Sequence, residues 1–287
     1  MADVVLVRAI TPARARAIRH GLILSGLVWV AFFGFYHLSG GHSDIHDYWL
    51  TDPSHAYRGY VLGAEGQAYT PAWTLAFAPF TRVPYPLLYA AWFVMNSCVA
   101  LWLLRPVPSA WRLPAMLLLS PELFTGNVHL LIAASIVLAL GGAGWAWAFP
   151  ILTKVTPAIG LLWHLARREW ASLFAAAGAT AALALASAVV APDLWSRWWQ
   201  TIMGSLYVHG PEIAWIPLLP RIPVAVVLTW FAGRTDRPWI VPLAVIVGMP
   251  HVFLQSFAVT AAVPRLLRPV QTSPSPSPDV SLPAVAA

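Results

Sequence analysis

Apolar runs of two lengths alternate along the chain. Residues 21–38, 84–104, 171–190 and 216–231 form runs that, at ~1.5 Å of helix rise per residue, approach or match a ~30 Å hydrocarbon core. Elsewhere the runs are interrupted at their midpoints. Residues 113–124 and 128–140 flank Thr125-Gly126-Asn127, and 145–152 and 158–165 flank Thr153-Lys154-Val155-Thr156-Pro157. The arrangement returns where 239–247 and 252–263 flank Met249-Pro250-His251. Each half is too short to cross a bilayer comfortably alone. The pattern predicts up-and-back pairs of short helices beside the longer spans, an all-α polytopic bundle of about ten transmembrane segments.

The charges orient this bundle. Arg8, Arg14, Arg16 and Arg19 precede the first run, which marks that end as cytoplasmic by the positive-inside rule. If each interrupted stretch were one span, Arg167, Arg168, Arg265 and Arg268 would lie outside. Read as pairs with outward apexes, they join Arg105, Arg112, Arg234 and Arg237 in the cytoplasm. Asp44, Asp47, Asp52, Glu65, Glu122, Asp193 and Glu212 then gather on the outer side. The domain plan is a basic cytoplasmic stretch over 1–20, a membrane domain over 21–265, and a disordered Ser-Pro-rich cytoplasmic tail over 266–287. Outer loops occupy 39–83 and 192–215. Within the first, 68–80 is amphipathic and bounded by prolines, and is expected to lie along the interface as short helices.

Composition agrees. The chain is 59% hydrophobic and 10% charged, where soluble domains carry about 25% charged residues. The net charge of +6 comes from arginines placed in cytoplasmic turns, so no nucleic-acid partner is expected. A lone Cys98 rules out an internal disulfide. There is no phosphate-binding glycine loop and no nucleophile elbow.

Lys154 is the only lysine among 287 residues, and it sits in an otherwise uncharged apolar run. An ammonium at mid-bilayer costs roughly 2.5–3.5 kcal/mol even on lenient scales. Two readings stand: a lysine snorkelling from a helix end, or an anion site at one membrane face. The topology brings other polar groups to that face: Asp44, Asp47, Asn127, His129, Arg221 and His251. A loop carboxylate suits a general base, and Lys154 with Arg221 suits a phosphate. Arg221 one turn into a helix is equally a snorkelling interfacial arginine. Asn127 reads most simply as the cap of the following short helix, and His129 and His251 are open to satisfaction by backbone carbonyls. His42, Asp44, His46 and Asp47 have metal-compatible spacing without a helical metal motif; the expectation is no metal and no cofactor.

Three of these segments resemble the integral-membrane glycosyltransferases of the GT-C class, in particular the polyprenyl-phosphate-mannose-dependent mannosyltransferases of family 87 (DUF2029). Asp44-Ile45-His46-Asp47-Tyr48 is similar to that family's D-[LI]-x-x-Y, followed by Tyr69-Thr70-Pro71 for its Y-x-P. Gly126-Asn127-Val128-His129-Leu130-Leu131 is similar to its G-[QN]-x-x-L-L, and Lys154-Val155-Thr156-Pro157 to its K-x-[TP]-P. The resemblance implies a GT-C-like fold and an inverting sugar transfer, most often of mannose, from a polyprenyl-phosphate donor to a glycolipid or glycan acceptor. The transfer would take place outside the cell membrane, among membrane lipids. It places the base on Asp44, with Asp47 a rival, and the donor phosphate on Lys154. Tyr48, Tyr69, Asn127, His129 and His251 would face substrate. The chain departs from the family's Ser-Pro-x-x-W-x-H, reading Met249-Pro250-His251-Val252-Phe253-Leu254-Gln255. The alternative is a non-catalytic relative or a transporter of lipid-linked sugars.

Overall fold

The computed structural model describes residues 11–41, 43–53, 56–57, 69–205 and 216–267. Arg58, Glu65, Glu212 and the Ser-Pro tail therefore lie outside the described residues. Fourteen α-helices and several 3-10 segments make up what is described, with no strand among them.

Helix α1 (Pro12–Leu38) starts earlier than the apolar run alone predicts, because Thr11 caps it and Pro12 fits its first turn. It carries Arg14, Arg16 and Arg19 on its first turns. Its apolar face is mostly exposed, as suits contact with lipid, and only Gly26 is buried. A Cβ there would lie 2.4 Å from Leu117 Cβ, so the missing side chain lets α1 cross the next hairpin closely. Short helices α2 (Asp44–Leu50) and α3 (Pro71–Phe77), with the 3-10 segment Ala78–Arg82, come next. Short helices were expected over 68–80. Their position is more interior than an interfacial helix: Pro71, Thr74 and Phe77 are buried.

Helix α4 (Tyr85–Leu104) matches its predicted span. The first interrupted stretch folds as α5 (Ser109–Leu118), α6 (Ser120–Thr125) and α7 (His129–Leu140). The second folds as a 3-10 turn Gly144–Trp147, α8 (Ala148–Lys154), a 3-10 turn Thr156–Gly160 and α9 (Leu161–Arg167). Long α10 (Trp170–Val190) and amphipathic α11 (Pro192–Ser205) follow, then α12 (Leu218–Thr235). The third interrupted stretch is α13 (Ile240–Val247), a 3-10 segment Leu254–Ala262, and α14 (Val263–Leu266). Among the described residues, α1, α4 and α10 are long and apolar enough to cross a membrane. The other predicted crossings are short or broken pieces packed around them, so the figure of about ten is not carried by helix length.

Polar side chains are buried at the centre while leucines, valines and phenylalanines face outward. Glu122, Asn127, His129 and His164 are all within a few per cent of full burial. Helix α7 packs along Leu254–Ala262, and α10 packs on α3, α8 and the Gly144–Trp147 turn. These contacts bring the first two apexes against α2 and the start of α3.

Candidate functional site

Helix α2 carries the first motif into the interior. Ser43 caps it, its Oγ accepting from His46 N–H at 3.3 Å, which puts Asp44 in the first turn, where a carboxylate is favoured. Ile45 and Tyr48 on the same helix are fully buried. The docking depends on Gly126, which ends α6 in the left-handed region at φ 69. A Cβ on Gly126 would lie 2.8 Å from Ile45 Cγ2. Only glycine meets both requirements, the turn and the close approach.

A chain of phenols and one amide then fixes Asp44. Tyr48 and Tyr69 share a 2.7 Å hydroxyl bond, and Tyr69 donates to Asn127 Oδ1 at 3.4 Å. Asn127 Oδ1 also accepts from Val128 N–H at 2.7 Å, so the amide nitrogen is the group left to hydrogen-bond Asp44. Tyr48 is boxed in by the rings of Tyr69, Trp73, Phe77 and Trp92 at 5.3–6.2 Å. Burial, followed by the neighbouring Tyr69, holds its phenol well above the ordinary range, so it stays a neutral hydrogen-bonding group.

Lys154 ends α8, and the backbone turns sharply after it. Val155 adopts φ 57 and ψ −56, a γ-turn-like conformation that is strained for a β-branched residue. Thr70 Oγ1 donates to the carbonyl of Leu152, tying the Tyr-x-Pro segment to α8. The ammonium stands 5.1 Å from the centre of the Tyr69 ring. Lys154 is half-buried; burial lowers its pKa below the ordinary lysine value, and Asp44 and then Glu122 oppose that fall. Yet among the described residues no carboxylate closes on it as a direct ion pair.

Glu122 belongs to this cluster. Its Oε1 accepts from the N–H groups of His129 at 2.7 Å and Leu130 at 3.3 Å. Its Oε2 lies 2.9 Å from His129 Nδ1, whose other ring nitrogen is 3.4 Å from Ser256 Oγ. Glu122, not Asn127, therefore satisfies the orphan amides at the start of α7. Asn127 sits too far out, two residues before the helix, for a capping role. His129 is satisfied by side chains rather than by the backbone carbonyls considered above. The signal in the sequence was a carboxylate seven residues before a histidine, across a Gly-Asn turn, in apolar surroundings.

Asp44, Tyr48, Tyr69, Asn127, His129 and Lys154 are thus one cluster. Arg221 serves a neighbouring feature: its guanidinium donates to the carbonyls of Val247 at 3.2 Å, Met249 at 2.8 Å and Pro250 at 3.0 Å. It holds the third apex, on which half-buried His251 packs near Phe253 at 6.4 Å. Asp47 lies one turn along α2 from Asp44, half-buried. Among the described residues no three His, Cys, Asp or Glu side chains form a metal-binding group; His42 lies outside those residues.

The Asp44 carboxyl is raised above its ordinary 3.8, chiefly by burial. Lys154 and the Asn127 hydrogen bond oppose that rise, and Glu122 adds to it. A carboxylate of raised basicity next to an unclosed ammonium can take a proton from a hydroxyl while an anion binds beside it. Behind Glu122, an apolar cavity of about 350 Å³ opens among Trp29, Leu118, Leu119, Leu254, Phe257 and Ala261.

The family model described as glycosyltransferase family 87 matches residues 68–284, which contain Tyr69, Asn127, Lys154, Arg221 and His251 but not Asp44. No curated protein and no solved structure matches the chain.

Proposed function

The chain belongs to glycosyltransferase family 87, and from that premise we propose that it moves mannose from a polyprenyl-phosphate donor to a glycolipid or glycan acceptor. The reaction would take place at the outer face of the cell membrane, with both termini in the cytoplasm. The observation that supports this most is the pairing of a half-buried Asp44 of raised basicity with a Lys154 side chain that no carboxylate among the described residues closes upon.

In this reading Asp44 removes the proton of an acceptor hydroxyl as its oxygen attacks the anomeric carbon. The bond from that carbon to the phosphate oxygen breaks, and its electron pair leaves with the polyprenyl phosphate. Attack opposite the leaving group inverts the anomeric centre. Phosphate departs already ionised, so no general acid is needed, in keeping with one base and a cation rather than a working carboxylate pair. Lys154 stabilises the charge gathering on the phosphate. Asn127 and Tyr69 hold Asp44 and Lys154 in place, and Arg221 shapes the apex carrying His251. The apolar cavity behind Glu122 would suit part of a lipid's hydrocarbon chain.

The test is transfer of labelled mannose from polyprenyl-phosphate-mannose by the purified full chain in lipid. The expected result is a product of inverted anomeric configuration. Binding of the donor without transfer to any acceptor would overturn the catalytic reading in favour of a carrier of lipid-linked sugars.

A further inference from the structure

We propose that Tyr57 is a positioning residue of the site: its hydroxyl fixes the Tyr69–Thr70 backbone and so sets the Tyr69 ring against the Lys154 side chain. The inference rests on the role proposed above for Lys154.

Tyr57 adopts φ 68, a left-handed backbone that is uncommon for a bulky side chain and persists only where its surroundings hold it. Helix α11 supplies the hold. Thr201 Oγ1 donates to the Tyr57 carbonyl at 3.4 Å, and Arg197, one turn earlier on α11, donates to the Ala56 carbonyl at 3.5 Å. Leu194 and Trp198 bury the inner face of that helix, while Trp199 and Met203 stand exposed on the other. A helix with an apolar outer stripe rich in tryptophan suits a membrane interface.

Held there, the Tyr57 phenol bonds to the start of α3. Its O–H donates to the Tyr69 carbonyl at 2.6 Å, and its oxygen lies 2.9 Å from Thr74 Oγ1, whose proton it can accept. Burial holds the phenol above its ordinary range, against the opposing effects of Thr74 and Arg197, so it keeps the proton it donates. The Tyr69 carbonyl precedes the N-cap of α3 and lies outside the helical ladder. Thr70, the next residue, donates through Oγ1 to the carbonyl of Leu152, two residues before Lys154. The Tyr69–Thr70 segment is therefore pinned from both sides, by Tyr57 and by α8. The Tyr69 ring, its hydroxyl bonded to Tyr48 at 2.7 Å, then lies with its centre 5.1 Å from Lys154 Nζ. A phenylalanine at 57 would fill the same space and leave the Tyr69 carbonyl without this donor. Tyr57 touches neither reacting group; it acts through Tyr69.

Because Lys154 is the only lysine, its surroundings can be followed directly. Reductive dimethylation with 13C-formaldehyde of the full chain in lipid nanodiscs gives one lysine methyl resonance, identified by its loss in Lys154→Arg. The Tyr69 ring should displace that resonance, and Tyr69→Leu gives its position without the ring. Tyr57→Phe should move the wild-type resonance part of the way toward the Tyr69→Leu position. A merely structural tether would lower the melting temperature and leave the resonance of the folded protein in place. Polyprenyl-phosphate-mannose should bind Tyr57→Phe about two- to tenfold more weakly than wild type, the effect of one neutral hydrogen bond. In a Lys154→Ala background, adding Tyr57→Phe should change donor affinity no further. An unmoved resonance in folded Tyr57→Phe overturns the inference, as does a loss of donor affinity of the same size with and without Lys154. Should Tyr57→Phe fail to fold, Thr201→Ala, which releases the Tyr57 carbonyl, should move the resonance in the same direction, and no movement there overturns it equally. A resonance that moves while the donor binds wild type and Lys154→Ala alike would leave the Tyr57 positioning standing and remove the phosphate role of Lys154.

Discussion

Among the described residues, two histidine–glutamate pairs are alike in chemistry and unlike in setting. His129 and Glu122 meet at 2.9 Å with side chains 1% and 0% exposed. His164 and Glu169 meet at 2.8 Å, the histidine fully buried and the glutamate 36% exposed. The second pair is one link in a latch. Trp147 Nε1 donates to His164 Nε2 at 3.0 Å, Arg167 donates to Glu169 at 2.6 Å, and Arg167 also reaches Asp236. Each carboxylate there has its cation, and the latch opens to water through Asp236, 74% exposed. It joins the end of α9 to the start of α10 and the end of α12 and holds nothing in reserve. The first pair stands beside a carboxylate of raised basicity and a lysine on which no carboxylate among the described residues closes. A buried histidine–carboxylate pair is therefore a weak functional signal alone; what marks the site is charge left uncompensated around it.

Substitutions on either side should separate the two regions. The largest effect is expected from Asp44→Asn, which keeps the shape and removes the base: mannose transfer should fall by about 10²–10⁴-fold, the usual range for a general base, with donor binding retained. Lys154→Ala should come next. Losing a charge-assisted contact of ~1.5–3 kcal/mol should weaken donor affinity by about ten- to a hundred-fold in a titration with the lipid phosphosugar. Unchanged affinity would return Lys154 to snorkelling.

On the latch side, Gly160→Ala should act on stability. A Cβ there would lie 2.0 Å from the Trp147 ring, itself fully buried, and overpacking of this kind costs ~1–3 kcal/mol. Thermal unfolding in detergent should show it. Arg167→Ala should do least, about 1 kcal/mol or less, since exposed ion pairs contribute little, and transfer by the folded fraction should be unaffected. Partial burial pushes the Glu169 carboxyl up, but hydrogen bonds from Arg167 and His164 outweigh it and hold the group below its ordinary 4.5. A depressed carboxyl stabilises the fold above that ordinary value and loses the contribution as pH falls through the folded value. The stability gap between wild type and Glu169→Gln should therefore close on acidification below about pH 4.5.

The long spans were legible because nothing interrupts them: α4 and α10 begin and end within a residue or so of their apolar runs. The apexes were legible for the opposite reason, since Thr125-Gly126-Asn127 and Lys154-Val155 cannot continue an apolar helix. That Asp44 and Lys154 share a site followed from putting both apexes and the first loop on one face. Glu122 escaped, because a carboxylate in Ser-Pro-Glu-Leu-Phe looks like an interfacial anion until α6 folds back on α7. The hold of Arg221 on carbonyls of the third apex was not legible, because those acceptors come beside it only once α13 has ended. Sequence shows where charge is expensive; which partner relieves it depends on chain reversals.

The most direct test of the account is the pH dependence of kcat/KM for mannose transfer, which reports the base of the free enzyme. Asp44 must be ionised to act and its carboxyl is raised above 3.8, so activity should rise with pH through a midpoint above that value. The limb should vanish from the residual rate of Asp44→Asn. A limb that persists unchanged in Asp44→Asn would contradict the account and pass the role of base to another group, Asp47 first.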